Sequence, residues 1–344
     1  MRVVVVGASG NVGTAVLRRL AQDTTVTSVV AVARRTPRQP PPPPYDVATW
    51  VSCDIGAHDA DTGVGDALAA AFAGADAVVH LAWAIQPSHD RHRLRATNVV
   101  GSRRVVQAVA RAGVPHLVVA SSVGAYSPSP GDTPRDESWP TDGVRSSSYS
   151  VDKATVETLL DRAEASTGAV VARLRPALVF QHDAGHEITR YFLGPLVPAR
   201  LLDGRVPVLP WPRGLRLQAV HADDLADAVR EVVVRQARGA FNLAGPGIVR
   251  GPDAAALVAR ARLQEVPFGV ARAAVAAGWR ARAVPVGPGW LDMAMAAPVL
   301  DTTRAERELD WRPRVSGVQA LHAMVRGVAA GAGTAGPPLR ARGG

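Results

Sequence analysis

The residues best suited to do chemistry are a tyrosine and a lysine four positions apart. Tyr149 and Lys153 stand in the run Tyr-Ser-Val-Asp-Lys, and Lys153 is the only lysine among the 39 Lys and Arg residues of this 344-residue chain. Residues i and i+4 are neighbours on one face of a helix. A compact ammonium group beside a phenol favours the phenolate, whose pKa starts near ~10. The spacing therefore predicts that Lys153 lowers the pKa of Tyr149 and prepares it for proton transfer.

A glycine-rich turn near the N-terminus predicts a binding site for a dinucleotide. Three glycines follow an apolar strand and open a helix in the run Val-Val-Val-Val-Gly-Ala-Ser-Gly-Asn-Val-Gly. This context brings backbone amides and a helix dipole close to a pyrophosphate. We expect the cofactor to contact Gly7, Ser9, Gly10, Asn11, Val12 and Gly13.

The end of the second strand bears on the type of nicotinamide cofactor. An acidic residue there would bind the ribose 2′-hydroxyl of NAD, but this chain has Arg34 and Arg35. Because guanidinium groups suit a 2′-phosphate, NADP(H) is favoured over NAD(H). Asp54 and Ile55 follow the third strand, where they either contact the adenine amine or form an ordinary turn. After the fourth strand, the wall of the cofactor crevice is predicted to consist of Leu81, Ala82 and Trp83.

Short apolar runs alternate with helical patterns through the first half of the chain. This alternation is typical of a parallel sheet covered by helices on both faces, so we predict an α/β, Rossmann-like, doubly wound fold. The predicted strands are Val3–Val6, Val26–Ala33, Val51–Cys53, Ala77–Leu81, Leu117–Ser121 and Val170–Leu174. The predicted helices are Val12–Ala21, Gly65–Ala73, Leu94–Ala112 and Ser150–Thr167.

After residue 175 the alternation loosens, and Pro, Gly and Trp become frequent. Leu217–Val220 and Ala240–Leu243 are predicted as strands that return to the main sheet. We therefore predict a NAD(P)-binding domain of residues 1–175 and 216–245, with a smaller C-terminal substrate-binding lobe of residues 176–215 and 246–330. Residues 331–344 are predicted to be a disordered tail because Gly, Ala and Pro dominate them. One or two arginines of the lobe could hold a substrate phosphate or carboxylate: Arg190, Arg200, Arg205, Arg213 and Arg216.

Composition excludes several classes of function. The net charge of +9 comes with a pI of about 10.9, but the arginines are interspersed with acidic residues and aromatics are few, so nucleic-acid binding is not expected. No apolar run is long enough to span a bilayer, and the N-terminal run does not resemble a signal peptide. Cys53, the only cysteine, rules out an intrachain disulfide and a cysteine-based metal cluster. We expect a cytoplasmic protein that binds neither metal nor membrane.

Taken together, these motifs resemble the extended short-chain dehydrogenase/reductase superfamily, specifically its NAD(P)-dependent epimerase/dehydratase family, over about residues 1–325. The runs Val-His-Ala-Asp-Asp-Leu-Ala, from residue 220, and Asp-Trp-Arg-Pro, from residue 310, are similar to later segments of that family. The resemblance implies that Tyr149 is the acid/base and that Lys153 assists it. Lys153 is also expected to bind the cofactor by its ribose, which a delocalised arginine would do less well. It implies that Ser122, or less favourably Ser121, holds the reacting oxygen. It further implies that Asn98 supports a proton-relay water and that the backbone at Pro176 lies beside the nicotinamide.

The resemblance also implies a reaction class. We expect hydride transfer at a secondary alcohol or ketone of a small substrate, either a sugar nucleotide or another carbonyl compound. Val123 and Gly124 stand where the family's sugar-nucleotide dehydratases have an Asp-Glu pair, which disfavours dehydration. Epimerisation with retained NAD and reduction with exchanged NADPH both stay open. A non-catalytic NAD(P)-binding regulator or scaffold is the alternative, and a homodimer is implied by the resemblance alone.

Overall fold

The computed structural model describes residues 1–57, 63–193, 207–258 and 262–340. Its central sheet consists of seven parallel strands, β1 Arg2–Val6, β2 Ser28–Ala33, β3 Ala48–Ser52, β4 Ala77–His80, β5 His116–Ala120, β7 Val170–Pro176 and β11 Gly239–Leu243. Their order across the sheet is β11-β7-β5-β4-β1-β2-β3. The strand order reverses direction between β1 and β4, which opens a crevice at their carboxyl ends. The predicted doubly wound α/β fold is confirmed.

Helices cover both faces of this sheet because its strands are apolar on both sides. The helices in chain order are α1 Asn11–Leu20, α2 Val64–Phe72, α3 Arg91–Arg95, α4 Ser102–Ala112, α5 Ser148–Thr167, α6 Gly185–Ile188, α7 Ala222–Arg235, α8 Gly251–Leu257, α9 Phe268–Arg280, α10 Pro288–Ala296, α11 Thr303–Leu309 and α12 Gly317–Ala330. One face is covered by α1, α7 and α11, and the other by α2, α4 and α5. No helix within the described ranges is long and apolar enough to cross a membrane.

The long helix predicted over Leu94–Ala112 is interrupted. The structure has α3, then a π-helical turn over Ala96–Gly101, then α4. Gly101 packs so closely on Ile55 that a Cβ there would lie 2.8 Å from its side chain. Wider turns of this kind often occur at functional sites, and this one carries Asn98.

Within the described part of the chain, three two-stranded parallel sheets lie outside the central sheet. Their strands are β6 Pro134–Arg135, β8 Leu178–Phe180, β9 Val208–Pro212, β10 Ala219–His221, β12 Arg262–Val266 and β13 Val299–Leu300. The pairs are β8 with β10, β9 with β12, and β6 with β13. The prediction that Leu217–Val220 returns to the main sheet is therefore wrong, because β10 finds its partner in β8 instead. The second predicted returning strand is confirmed as β11, which pairs with β7.

The C-terminal segment is ordered as far as the structure describes it. Leu339 is fully buried, and Thr334 shares a hydrogen bond of 2.6 Å with the hydroxyl of Tyr45. The backbone of Ala332 accepts a hydrogen bond from His186. Residues 331–344 were predicted to be a disordered tail, whereas apolar and hydroxyl side chains of residues 331–340 make these contacts in the structure. Residues 341–344 lie outside the described part of the chain.

Candidate active site

The glycine turn after β1 has the geometry of an anion cradle. Gly7 adopts a φ of +90°, and a Cβ there would lie 2.5 Å from the backbone nitrogen of Ala82. A Cβ on Gly13 would lie 2.4 Å from the carbonyl oxygen of Gly7. Gly10 caps α1 without any side-chain hydrogen bond, and the first turn contains no acidic residue. The first amides of α1 are therefore without a side-chain cap, and the turn fits a pyrophosphate.

The neighbouring residues of the turn hold it in place. Ser9 is buried. The Asn11 side chain donates to the carbonyl of Val179 and accepts a 2.6 Å hydrogen bond from Gln181. Val12 packs against the core. These contacts fix the start of α1 against the segment that follows β7.

The other residues predicted to contact the cofactor surround the same crevice. Leu81, Ala82 and Trp83 follow β4, and Pro176 ends β7. Arg34 and Arg35 are exposed just beyond β2. Asp54 accepts a hydrogen bond from the amide of Gly56. This is the geometry of an ordinary turn, one of the two roles that the sequence suggested for Asp54. Ile55 is buried.

Ser122 and Tyr149 are brought together by hydrogen bonds at the start of α5. Ser147 caps this helix by accepting a hydrogen bond from the amide of Ser150. The hydroxyl of Ser150 donates to the carbonyl of Gly124, 2.5 Å away, which ties α5 to the loop after β5. Gly124 lets the Tyr149 ring approach, since a Cβ there would lie 2.9 Å from it. The Ser122 side chain lies beside the Tyr149 phenol, where it acts to lower the pKa of that group.

Lys153 lies one helical turn beyond Tyr149 and is buried. Its ammonium nitrogen donates to the carbonyl of Ala120 at 2.8 Å. The same nitrogen lies 3.6 Å from the ring centroid of Trp83 and 5.8 Å from that of Tyr149. Lys153 therefore faces the Trp83 ring as a cation–π partner more closely than it faces the tyrosine.

The electrostatics of the pair differ from the sequence-based expectation. Burial raises the pKa of Tyr149 to about 12, and the neighbouring Ser122 side chain only partly opposes this. Burial also lowers the pKa of Lys153 to about 7, and the charge of Glu157 opposes that change. The prediction that Lys153 lowers the pKa of Tyr149 is thus wrong for this structure, since desolvation of the phenol dominates.

Asn98 braces the loop that walls the crevice. Its side-chain oxygen accepts from the amide of Ala84 at 2.7 Å, and its amide nitrogen donates to the carbonyl of the same residue. Both bonds hold the residues just after Trp83. Nearby, His80 pairs with Ser102 at 2.9 Å, and burial lowers its pKa to about 3. His80 is therefore a neutral structural residue.

The role of Ser121 is resolved by a buried ionic network. Its hydroxyl donates to Glu157 at 2.5 Å, so it does not face Tyr149 as Ser122 does. Glu157 also accepts two hydrogen bonds of 2.9 Å from Arg175, and Arg173 lies 3.4 Å away. These partners hold the pKa of Glu157 below its ordinary value. Sequence reasoning missed this carboxylate, although it follows Lys153 by four residues.

A cavity of about 270 Å³ opens above Tyr149. Its walls include the loop from Ala84 to His89 and two tryptophans, Trp279 and Trp290. The ring centroid of Trp290 lies 5.0 Å from that of Tyr149. Both tryptophans were missed as site residues, and their only sequence signal was the high frequency of Trp in the second lobe.

Comparison with known proteins extends these observations to the family level. A family model described as "NAD dependent epimerase/dehydratase family" matches residues 3–244. A curated Arabidopsis thaliana protein, "3beta-hydroxysteroid-dehydrogenase/decarboxylase isoform 1", is 33% identical over 111 residues. That match covers 32% of this chain and 25% of the Arabidopsis protein, so the chain spans about a quarter of that relative's length.

Solved structures match nearly the whole chain. MoeE5 in complex with UDP-glucuronic acid and NAD is 21% identical with a TM-score of 0.66, covering 95% of this chain and 98% of that one. DesIV, a dTDP-glucose 4,6-dehydratase from Streptomyces venezuelae with NAD and TYD bound, is 21% identical with a TM-score of 0.69, covering 95% and 96%. UDP-glucose 4-epimerase from Thermus thermophilus, in complex with NAD, is 19% identical with a TM-score of 0.68, covering 95% and 99%. At such identities these structures show the shared fold.

Proposed function

The chain belongs to the NAD-dependent epimerase/dehydratase family, and from that premise we propose that it transfers a hydride at a secondary alcohol or ketone through Ser122, Tyr149 and Lys153. The observation that carries the proposal is that three side chains meet: Tyr149 lines a cavity, Ser122 lies beside its phenol, and the buried Lys153 follows one helical turn later. Membership of an enzyme family favours catalysis over the alternative of a non-catalytic regulator or scaffold.

The roles of the three side chains follow from their positions. Tyr149 gives its hydroxyl proton to a carbonyl oxygen during reduction, or takes the proton of an alcohol during oxidation. Ser122 hydrogen-bonds to the same reacting oxygen and holds it against the phenol. Lys153 would hold the cofactor ribose with its compact ammonium group, one helical turn from Tyr149. A nicotinamide bound in the crevice supplies or accepts the hydride.

Cofactor binding is assigned to the residues around the crevice. The backbone of Gly10, Asn11 and Val12 would hold the pyrophosphate, because the start of α1 has no side-chain cap. Lys153 would act near the nicotinamide end, and Asn98, which braces the loop after β4, would support a proton-relay water near the lysine. Trp83 would form part of the wall.

We further propose that NADP(H) is preferred over NAD(H), on the basis of Arg34 and Arg35. Both side chains are exposed beyond β2, where a 2′-phosphate would be bound. Replacing both by Ala should weaken NADPH binding about tenfold or more, because hydrogen bonds to charged groups contribute ~1.5–3 kcal/mol. Arg38→Ala, in the same exposed segment, is the matched control. Tighter binding of NADH by the unaltered protein, in line with the NAD named in the titles of solved relatives, would overturn the preference.

The catalytic proposal is tested with Tyr149→Phe. We expect this variant to lose turnover in absorbance assays of nicotinamide oxidation while it keeps its affinity for the cofactor. Tyr191→Phe is the control, since that half-buried tyrosine loses only a hydrogen bond from Arg190. Lys153→Arg should also lose most activity, because a guanidinium is larger and does not release its proton. Full turnover by Tyr149→Phe would refute the assignment.

Three further proposals concern the substrate class, the oligomeric state and the cellular location of the protein. The solved relatives are named for sugar nucleotides and the Arabidopsis relative for a steroid, so the substrate is a sugar nucleotide or another carbonyl compound. A homodimer through α4 and α5 is proposed from the family resemblance, and sedimentation analysis tests it. A cytoplasmic location is likewise proposed and is tested by cell fractionation.

A further inference from the structure

The cavity above Tyr149 has aromatic walls. Trp290 packs on the Tyr149 ring and also meets Phe192 edge-on, with centroids 5.3 Å apart. At the outer end, Trp279 stacks against His89 at 3.8 Å with an angle of 11° between the rings. The wall also carries polar side chains, among them Gln86, Asn98 and Ser146, so the aromatic faces are the part of the cavity suited to the apolar rings of a ligand.

The fold builds this arrangement from a short glycine and proline motif. Pro288 occupies the first turn of α10, where its fixed φ suits a helix start. Gly289 lets α10 touch the start of α5, since a Cβ there would lie 2.3 Å from the carbonyl oxygen of Ser146. The next residue is Trp290, and the close approach therefore places its indole beside Tyr149.

The charged groups of the described cavity wall are paired with one another. Arg91 makes two hydrogen bonds, of 3.1 and 3.3 Å, to the carboxylate of Asp152. The Asp152 side chain is completely buried, and its other cation, Arg95, lies 3.7 Å away. Binding a phosphate with Arg91 would leave this buried carboxylate poorly compensated, which is strongly unfavourable.

The lobe arginines that the structure describes are engaged as well. Arg190 donates to the Tyr191 hydroxyl and to the carbonyl of Pro338. Arg213 lies 3.6 Å from Glu265. Arg216 donates to the carbonyl of Ser129 at 2.8 Å. Arg200 and Arg205 lie outside the described residues.

We propose that the substrate carries its secondary alcohol or ketone on an apolar ring system, which lies between Trp290 and Trp279 with its oxygen at Tyr149 and Ser122. This inference rests on the proposed function and names its substrate class. A ring of this kind buries apolar surface against the indoles and needs no phosphate-binding cation. A nucleoside diphosphate sugar would require the paired Arg91 to change partners.

The test measures binding and turnover separately, with 2-decalone as the apolar ring ketone and UDP-glucose as the charged alternative. Binding is measured by calorimetric titration into the NADPH-loaded protein, and turnover by absorbance of NADPH. We expect saturable binding of 2-decalone. Trp290→Ala and Trp279→Ala should each raise its Kd and KM about tenfold or more, with a smaller change in kcat, since each removes an aromatic wall. Val270→Ala, at an exposed position of α9, is the control for changes in that helix.

The outcomes separate the two proposals. Absence of saturable 2-decalone binding, or tighter binding of UDP-glucose, overturns the inference whatever the turnover results are. Equal Kd values in the tryptophan variants and the Val270→Ala control overturn it too. Saturable, tryptophan-dependent binding supports it, and absence of any hydride transfer in that case contradicts only the proposed function.

Discussion

Replacing Glu157 by Gln tests whether the ionic network beneath the site stabilises the fold. Glu157 is 1% exposed and is the carboxylate that faces Arg175 with two hydrogen bonds of 2.9 Å. The variant keeps the shape of the side chain but removes its charge. Arg175 would then face only neutral acceptors among its hydrogen-bond partners in the described structure: the new amide oxygen at position 157, the Tyr126 hydroxyl and the Glu137 carbonyl. Breaking a buried ion pair from one side costs ~3–5 kcal/mol, so we expect a loss of this size in the free energy of unfolding.

The assay is urea unfolding followed by circular dichroism at neutral pH. Glu308→Gln is the matched control, because Glu308 forms a surface pair with Arg304 four residues earlier and should contribute ~0.5 kcal/mol at most. The pH dependence gives a second check. The folded-state pKa of Glu157 lies below the ordinary value of 4.5, so its stabilisation is present above about that pH and is lost as the pH falls through the folded pKa. A loss below ~1 kcal/mol at neutral pH would refute the assigned role of the buried pair.

Three further predictions concern the cradle, the lysine and the C-terminal segment. Gly7→Ala should abolish measurable NADPH binding and destabilise the fold far more than Gly131→Ala does. Both glycines have positive φ, but only Gly7 lies against the backbone of another segment. Calorimetric titration and urea unfolding measure the two effects, and equal effects of the two substitutions would contradict the prediction. The free energy of unfolding should rise between pH 7 and 10.5, because in this pH range Lys153 is protonated in the unfolded chain and largely deprotonated in the folded one. Lys153→Met should remove this rise, which urea titrations at pH 7 and about 9 measure. Truncation after residue 330 should cost ~2 kcal/mol and lower Tm, because it removes the buried Leu339; an unchanged Tm would contradict the packing.

Much of the central fold was predictable because its signals are local. A strand buried on both faces is a continuous apolar run, and β1 with its four valines is such a run. The glycine turn could be recognised because it lies between that strand and α1. The pairing of β10 was not predictable, since a strand of three residues can join any free edge and β8 competes with the main sheet for it. The π-helical turn at Asn98 depends on the close contact between Gly101 and Ile55, a tertiary feature with no signal in the local pattern.

In the candidate site, too, features with a local sequence signal were predictable and features set by tertiary packing were not. Tyr149 and Lys153 were found because their spacing is helical. The pKa values of Tyr149 and Lys153 could not be predicted, because burial of the phenol depends on the packing of residues distant in sequence, such as Trp290. The aromatic cavity was missed for the same reason, as Trp279 and Trp290 follow the end of α5 by more than a hundred residues in the sequence.

The position of the single lysine has a physical explanation in the line of residues along α5. Tyr149, Lys153 and Glu157 follow one another at intervals of four, so a phenol, an ammonium and a carboxylate occupy successive turns of one helical face. Burial disfavours every charge in this line, which is why the pKa of Tyr149 lies at about 12 and that of Lys153 at about 7. Glu157 is held ionised by Arg175, and its charge limits the fall of the lysine pKa. An arginine at position 153 would stay charged at any pH, whereas a lysine there can exchange a proton near neutrality. The helix therefore places a titratable cation between a fixed anion and the proposed acid/base, and lysine is the side chain whose chemistry fits that place.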